Sequence, residues 1–593
     1  MIISKNWLAE YVDLSMPMDE LTDRLTITGL NLEDVVTVGK DTAIDLEVTS
    51  NRPDCLGHIG VAREVAVIFD KELKLRNPGA NASGSPINQL TSVEIKATDL
   101  CPRYTARVIK GVKIGPSPAW LADRLRTLGI AVINNVVDVT NYVMMEIGQP
   151  LHAFDFAKLR GGKIIVRRAT KGEEFIAIDH KTYTLTGEEV VIADAERPVA
   201  LGGVMGGYDT EVSDDTVDLL IEAADFDPMA VRGAARRHVL FSSSSYRFER
   251  GVDPQGIDWA SRRCCELILE TAGGTLCEGV IDVGEPAGPR EEIKLRFDQI
   301  PRLLGIDVSQ EEARRILTAL GCEETHNCDH CVKVIPPTWR ADLTREADLL
   351  EEVARVHGYD KIPEDVGVRM TSSHRTRDDI VLERVRNLMT AAGFDEALTL
   401  SAIDENSAAV FQPWTTAAPL ATSTAVLQRA NCLRQSVAPS LLTCRRINET
   451  RSNPVIELFE IAKVYLPQPG ALPEEKRVLA LTTGGGYREA KGVIETLLAH
   501  IAPELVWSVE ATGHDLLDPA RSCAILSGGQ QLGVLGELSQ SGQEAFDLRG
   551  GSTIAEIDLG PIIQAARLVP TAGELSTYQP VTRDLNVVFD ESV

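Results

Sequence analysis

No apolar run in this 593-residue chain approaches the roughly 18 residues that a membrane-crossing helix needs, so a soluble protein is expected. The opening stretch MIISKNWLAEYVDLS lacks a basic run followed by an apolar core, which argues against a secretory leader. Basic residues are in the minority. With 60 Lys and Arg against 87 Asp and Glu, the net charge of -27 opposes any broad grip on a polyanion, so nucleic acid would have to meet a local basic patch. The 11 cysteines are odd in number and scattered, which points to reduced thiols in the cytoplasm rather than a disulfide framework. Residues 378–572 contain no phosphate loop and no Ser/His/Asp or Cys/His signature.

What is present suits a modular globular protein. The chain is 44% hydrophobic and 25% charged, and its length exceeds what one core supports, suggesting roughly four domains. Residues 1–75 form an N-terminal domain that ends in a strand, a turn and a helix over about residues 61–69. The Pro-, Gly-, Asn- and Ser-rich stretch that follows reads as a linker over 76–91. Short alternating segments such as YTARVIKGV, KIIVRRA and EVVIADA make 92–282 a sheet-rich α+β domain. A helix-rich domain spans 292–364, where Ser309 with Glu312 reads as a capping box and Gly321 as a helix stop. Residues 378–575 return to α+β texture, and 576–593 contain a strand-like run, RDLNVVFDESV, with nothing beside it to bury its apolar face.

Several segments carry groups that could do chemistry. Thr140, Asn141, Gln149 and His152 bring hydroxyl, amide and imidazole groups together, able to orient a water or a ribose. A lone His beside Pro150 and Phe154 also fits a structural role. In LGGVMGGYDTEV, Gly202, Gly203, Gly206 and Gly207 allow close backbone approach to a ligand, or simply a tight turn. Arg232, Arg236, Arg237, Arg247 and Arg250 form the clearest basic cluster, with Glu249 and Asp253 as competing partners. Asp348, Glu351 and Glu352 stack on one helix face with Asp342 just before it, as a solvated acidic face or an oxygen cage for a cation. Cys322, His326, Cys328, His330 and Cys331 crowd together, but a single CxxC at a hairpin tip falls short of the two ligand pairs of an ordinary structural zinc site.

Taken in order, TSNRPDCLGHIGVARE, VVDVTNYVMMEIGQPLHAFD, GGVMGG, ARRH with YRFERGVDP, and DLLEEVARVHGY resemble the beta subunits of bacterial phenylalanyl-tRNA synthetase over nearly the whole chain. The resemblance implies an α+β multidomain fold. It makes 92–282 a B3/B4-like editing domain, 292–364 a B5-like domain, and 378–575 a class II synthetase-like antiparallel module without an active site. ELFEIAKVY resembles the second class II motif but offers no arginine for an ATP phosphate.

By the same resemblance the partners are an alpha subunit, in an α2β2 heterotetramer that binds ATP and phenylalanine, and phenylalanine tRNA. The expected activities are ligation of phenylalanine to that tRNA and hydrolysis of mischarged tyrosine. An editing pocket is implied at Thr140, Asn141, Pro150, His152, Gly202, Gly203, Glu222, Ser242 and Ser244, with Glu222 reading the tyrosine hydroxyl. Magnesium ligands are implied at Asp342, Asp348, Glu351 and Glu352. Ala131 and Ser244 depart from the family pattern of arginine and alanine, which bears on editing strength. Between Val38 and Ala43 the family's inserted RNA-binding barrel is replaced by a short connection, and 576–593 resemble the opening of an anticodon-binding domain, so weaker tRNA binding is expected. A freestanding deacylase and a pure assembly scaffold are the competing readings.

Overall fold

The computed structural model describes residues 1–285, 287–365, 367, 370–424, 427–570 and 572–589. The chain divides into two compact units, Met1–Gly367 and Val368–Val593. The fold is multidomain α+β, as the sequence texture suggests.

The first unit is organised around a six-stranded sheet. Its order is Ala82–Pro86, Thr275–Glu278, Arg103–Lys110, Leu219–Asp225 and Leu151–Asp155, with Ile281–Gly284 also pairing along Arg103–Lys110. LLIEAAD lies at its centre, between Arg103–Lys110 and Leu151–Asp155, and its side chains alternate between two cores. Leu220 and Ala224 join a core shared with a second sheet built from Ser92–Ile95, Lys163–Arg168, Val190–Ala193, Pro198–Leu201 and Met205–Gly206. Leu219 and Ile221 face the opposite core, formed with helices Val137–Ile147 and Gly256–Ala272 and with the N-terminal helices. The N-terminal residues therefore share a core with the underside of the sheet.

Two expectations need correction here. Within the stretch read as a linker, Ala82–Pro86 forms an edge strand parallel to Thr275–Glu278. Short polar residues suit an exposed edge as well as a linker, and composition alone does not separate the two. The 292–364 region is not simply helical, because Ile293–Arg296, Cys331–Ile335 and Glu323–Cys328 make a three-stranded sheet under helices Gln310–Ala319 and Glu346–His357. Its capping box is half made: the Ser309 hydroxyl accepts from the Glu312 amide, while the Glu312 carboxylate turns to Arg315.

The second unit carries a seven-stranded sheet in the order Asp395–Glu396, Leu458–Leu466, Glu474–Thr483, Thr553–Asp558, Gln530–Leu538, Leu517–Ser527 and Trp507–Ala511. It is antiparallel except for its first pair. Helices Arg377–Ala391 and Tyr487–Ile501 pack on one face, and Ala438–Thr450 covers the other. The alternating run near the end forms no strand among the described residues; Leu585 and Val588 stand exposed, and residues 590–593 lie outside the described set.

Candidate functional site

The sheet register places two titratable groups side by side. Helix Val137–Ile147 ends on Gly148, whose φ of 85° is the left-handed stop that glycine takes without strain. The chain then turns through Gln149 and Pro150 into Leu151–Asp155, and Gln149 anchors that turn by donating to the Ala224 carbonyl at 2.9 Å. Along the antiparallel pair, His152 lies directly opposite Glu222, so both side chains leave on the same face.

Those two residues, with Pro150, Gly202, Gly203, Met205, Gly206, Ser244 and Phe248, line a cavity of about 50 Å³. Burial raises the Glu222 carboxyl from its ordinary 4.5 to about 7, and a hydrogen bond from the Tyr104 hydroxyl to Oε2, at 2.8 Å, only partly offsets this. Oε1 has no partner among the described residues. Burial pushes the His152 imidazole down to about 4, so it is neutral near pH 7, and its Nε2 is buried without a hydrogen-bond partner.

Of the residues named from the sequence, Pro150, His152, Gly202, Gly203, Glu222 and Ser244 thus meet around one cavity. Thr140 and Asn141 do not line it. They sit on helix Val137–Ile147, where the Thr140 hydroxyl donates its proton back to the Val137 carbonyl at 2.8 Å. Ser242 is also spent locally, donating to the Val204 carbonyl at 2.7 Å and tying the wall to the glycine turn.

Two contributors stand outside the pocket implied by the resemblance, although Gly206 belongs to the glycine run already noted. Tyr104 is diagonal to Glu222 across the sheet, with small Ala106 directly opposite the carboxylate, which leaves room for the phenol to reach it. Gly206 lies against the His152 ring: a Cβ there would come within 2.4 Å of it. An alternating strand with a Tyr two residues before an Ala is a faint signal, and the glycine run a stronger one.

The basic cluster is largely consumed. Arg237 pairs with Glu188 and Glu189, Arg250 with Glu249, and buried Arg247 donates to the Leu56 carbonyl at 2.8 Å. Among the described residues Arg232, Arg236 and Arg247 of the five form no ion pair, and Arg247 is held by backbone carbonyls instead.

The acidic helix face is occupied too. Arg340 donates to Asp342 at 2.9 Å and to Glu352 at 2.6 Å, and Arg355 joins Glu352 at 2.6 Å to Glu64 at 2.5 Å. Glu64 in turn pairs with Arg52, which also holds Asp54. The result is an unbroken ladder of alternating buried charge. Burial alone would raise the Glu64 carboxyl, but Arg355 and Arg52 hold it down at about 2. Asp348 accepts from the amides of Thr344 and Arg345, capping its own helix, and Glu351 is exposed. The four carboxylates are not among the described groups whose ligand atoms come within 4.8 Å of one another. As arranged, they do not fit a magnesium cage.

A larger cavity, about 810 Å³, lies in the second unit, lined by Thr399, Asp404, Glu405, Asn431 and Thr443 among others. The arginine missing from ELFEIAKVY has a neighbour in Arg434, but that guanidinium is buried against Glu460 and the Lys463 carbonyl. Glu556 is likewise spent on Trp414, Ser436 and two backbone amides. Arg429, which forms no ion pair among the described residues, is the one guanidinium on the lining of this larger cavity, and neither Arg434 nor Glu556 is free to serve it.

Three family models match the chain: the B3/4 domain over residues 100–273, the tRNA synthetase B5 domain over 293–359, and the phenylalanyl tRNA synthetase beta chain CLM domain over 362–559. The phenylalanine–tRNA ligase beta subunit of Rhodopirellula baltica is 46% identical, the alignment covering 100% of this chain and 88% of that one. The protein of the same name from Syntrophus aciditrophicus is 38% identical, over 95% of this chain and 73% of that one. Among solved structures, an N-terminal fragment of the phenylalanyl-tRNA synthetase beta subunit from Pyrococcus horikoshii aligns at 17% identity and a TM-score of 0.36, covering 60% of this chain and 99% of that one.

Proposed function

The chain belongs to the phenylalanine–tRNA ligase beta-subunit family, and from that premise we propose that its middle module hydrolyses tyrosine wrongly esterified to phenylalanine tRNA. As a beta subunit it serves the ATP-dependent joining of phenylalanine to its tRNA, as part of a ligase complex. We propose that the partner is an alpha subunit in an α2β2 assembly, that alpha holds ATP and phenylalanine, and that the complex meets phenylalanine tRNA in the cytoplasm. In keeping with this, no helix among the described residues is long and apolar enough to cross a membrane. Magnesium enters this reading with the ATP phosphates, which is how the ion is usually held, and not as a resident of Asp342, Asp348, Glu351 and Glu352.

The need for editing is physical. A hydrophobic pocket rejects one extra hydroxyl only about a hundredfold, so a second site that reads the hydroxyl directly has work to do. The observation that carries the reading is one cavity joining His152, Gly203 and Glu222. With Oε2 fixed by Tyr104, Glu222 offers Oε1 to the phenol hydroxyl, and a carboxyl titrating near 7 can donate or accept around neutrality. Neutral His152, through its unpartnered Nε2, holds the attacking water. Gly202 and Gly203 let the backbone approach the ester, while Pro150, Ser242 and Ser244 shape the wall. Water adds to the carbonyl carbon, the bond to the ribose oxygen breaks, and that oxygen leaves with a proton as the free ribose hydroxyl. Thr140 and Asn141 have no direct part in this.

The cavity of about 50 Å³ is water-sized, whereas a benzene ring occupies a site of roughly 150 Å³. The Met205 and Phe248 wall therefore yields when a ring enters. The test is hydrolysis of tyrosyl-tRNA by the purified chain, with and without alpha subunit, for the parent, Glu222→Gln and His152→Ala. Loss in both variants is expected; unaltered hydrolysis in both would leave the chain an assembly scaffold.

A further inference from the structure

The hairpin of the third module carries ligating groups that ester hydrolysis does not use. His326, Cys328 and Cys331 each bring one ligand atom to within 4.8 Å of the others. The strand pairing causes this. Glu323–Cys328 and Cys331–Ile335 run antiparallel, with Cys328 directly opposite Cys331 across the Asp329–His330 turn, so the two sulfurs project from one face and lie 3.0 Å apart. A register shift falls between Glu324 and His326, and from there the two-residue period of a strand keeps His326 on the same face as Cys328.

We propose that this hairpin tip binds one zinc ion through His326, Cys328 and Cys331, with water in the fourth position. Two thiolates and one imidazole are a soft S₂N set that suits zinc, and three protein ligands with one open place is an established zinc arrangement. The objection raised by the sequence, that a single CxxC supplies only half a site, is met by the strand bringing His326 alongside it. Both thiols give up a proton on binding, so two thiolates neutralise the ion and apparent affinity falls as pH falls. Zinc–sulfur bonds of about 2.3 Å at a tetrahedral angle separate two sulfurs by about 3.8 Å. The pair must part by less than an ångström, which half-exposed Cys328 can do by turning its side chain. His330 in the turn and buried Cys322 are not part of the cluster.

The experiment takes the full chain, reduced and stripped of metal, and titrates zinc against a chromophoric chelator. Cobalt(II) serves as the spectroscopic probe. One equivalent of zinc is expected, with thiolate-to-cobalt absorption in the near ultraviolet. His326→Ala and Cys328→Ser each weaken binding by more than the roughly tenfold that losing even an outer-shell partner costs, and Cys328→Ser diminishes the absorption. His330→Ala leaves both unchanged. All three positions lie on the hairpin surface, and an unchanged circular dichroism spectrum shows that each variant folds. Absence of saturable zinc binding, full affinity in His326→Ala, or uptake of copper(I) without zinc would overturn the assignment.

Discussion

Glu222 makes its own stability cost measurable. Its carboxyl titrates at about 7 in the folded chain and near 4.5 when unfolded, so between those values the folded state holds the extra proton and stability falls as pH rises. Glu222→Gln never ionises. It should therefore gain up to about 3 kcal/mol over the parent at pH 8 and nothing at pH 4, as read by calorimetry at the two pH values, while tyrosyl ester hydrolysis is lost. Gly206→Ala tests the other wall: its methyl would meet the His152 ring, at an overpacking cost of about 1–3 kcal/mol. Ester hydrolysis should drop at least tenfold in that variant while the far-ultraviolet dichroism stays that of the parent. At this scale the sequence was partly legible. His152 and the glycines stand in recognisable strings and Glu222 came only with the family resemblance, but Tyr104 reaches Glu222 from 118 positions away, and only strand register brings them together. The hydroxyl of Thr140 illustrates the opposite failure, a suitable group in a suitable string that the helix turns back on its own backbone.

Periodicity makes several helices and strands readable, because one buried face leaves a repeat in the residues. Acidic residues at i, i+3 and i+4 leave the same imprint whether they face water, a metal or a guanidinium, so the spacing on helix Glu346–His357 leaves both a solvated face and a cation cage open and only the family resemblance points to magnesium. Its partners are Arg340 and Arg355, and through Glu64 and Arg52 it clamps the N-terminal helix His58–Ile68. Removing one member leaves a buried charge unmatched. Arg355→Met should cost about 3–5 kcal/mol, seen as a fall in the unfolding temperature of the Met1–Gly367 unit. The edge strand Ala82–Pro86 was hidden for a different reason: it is polar and exposed, and its sheet partner, Thr275–Glu278, lies almost two hundred positions on.

For the molecule as a whole, the second unit combines a seven-stranded, mostly antiparallel sheet with arginine and glutamate side chains that satisfy one another in its interior. Arg434 and Glu556 are so occupied that neither can hold a nucleotide, and the purified chain should give no phenylalanine-dependent ATP–pyrophosphate exchange until an alpha subunit is added. Exchange by the chain alone would refute the division of labour. The charge ladder also bears on biosynthesis. Glu64 meets Arg355 across 291 positions of chain, and at about 5–20 residues per second a ribosome leaves that carboxylate, with only Arg52 beside it, waiting roughly 15–60 s for its second counterion. During that interval the nascent N-terminal segment has one guanidinium, Arg52, shared between the carboxylates of Asp54 and Glu64. This is the window in which chaperones would be needed and proteases would find it.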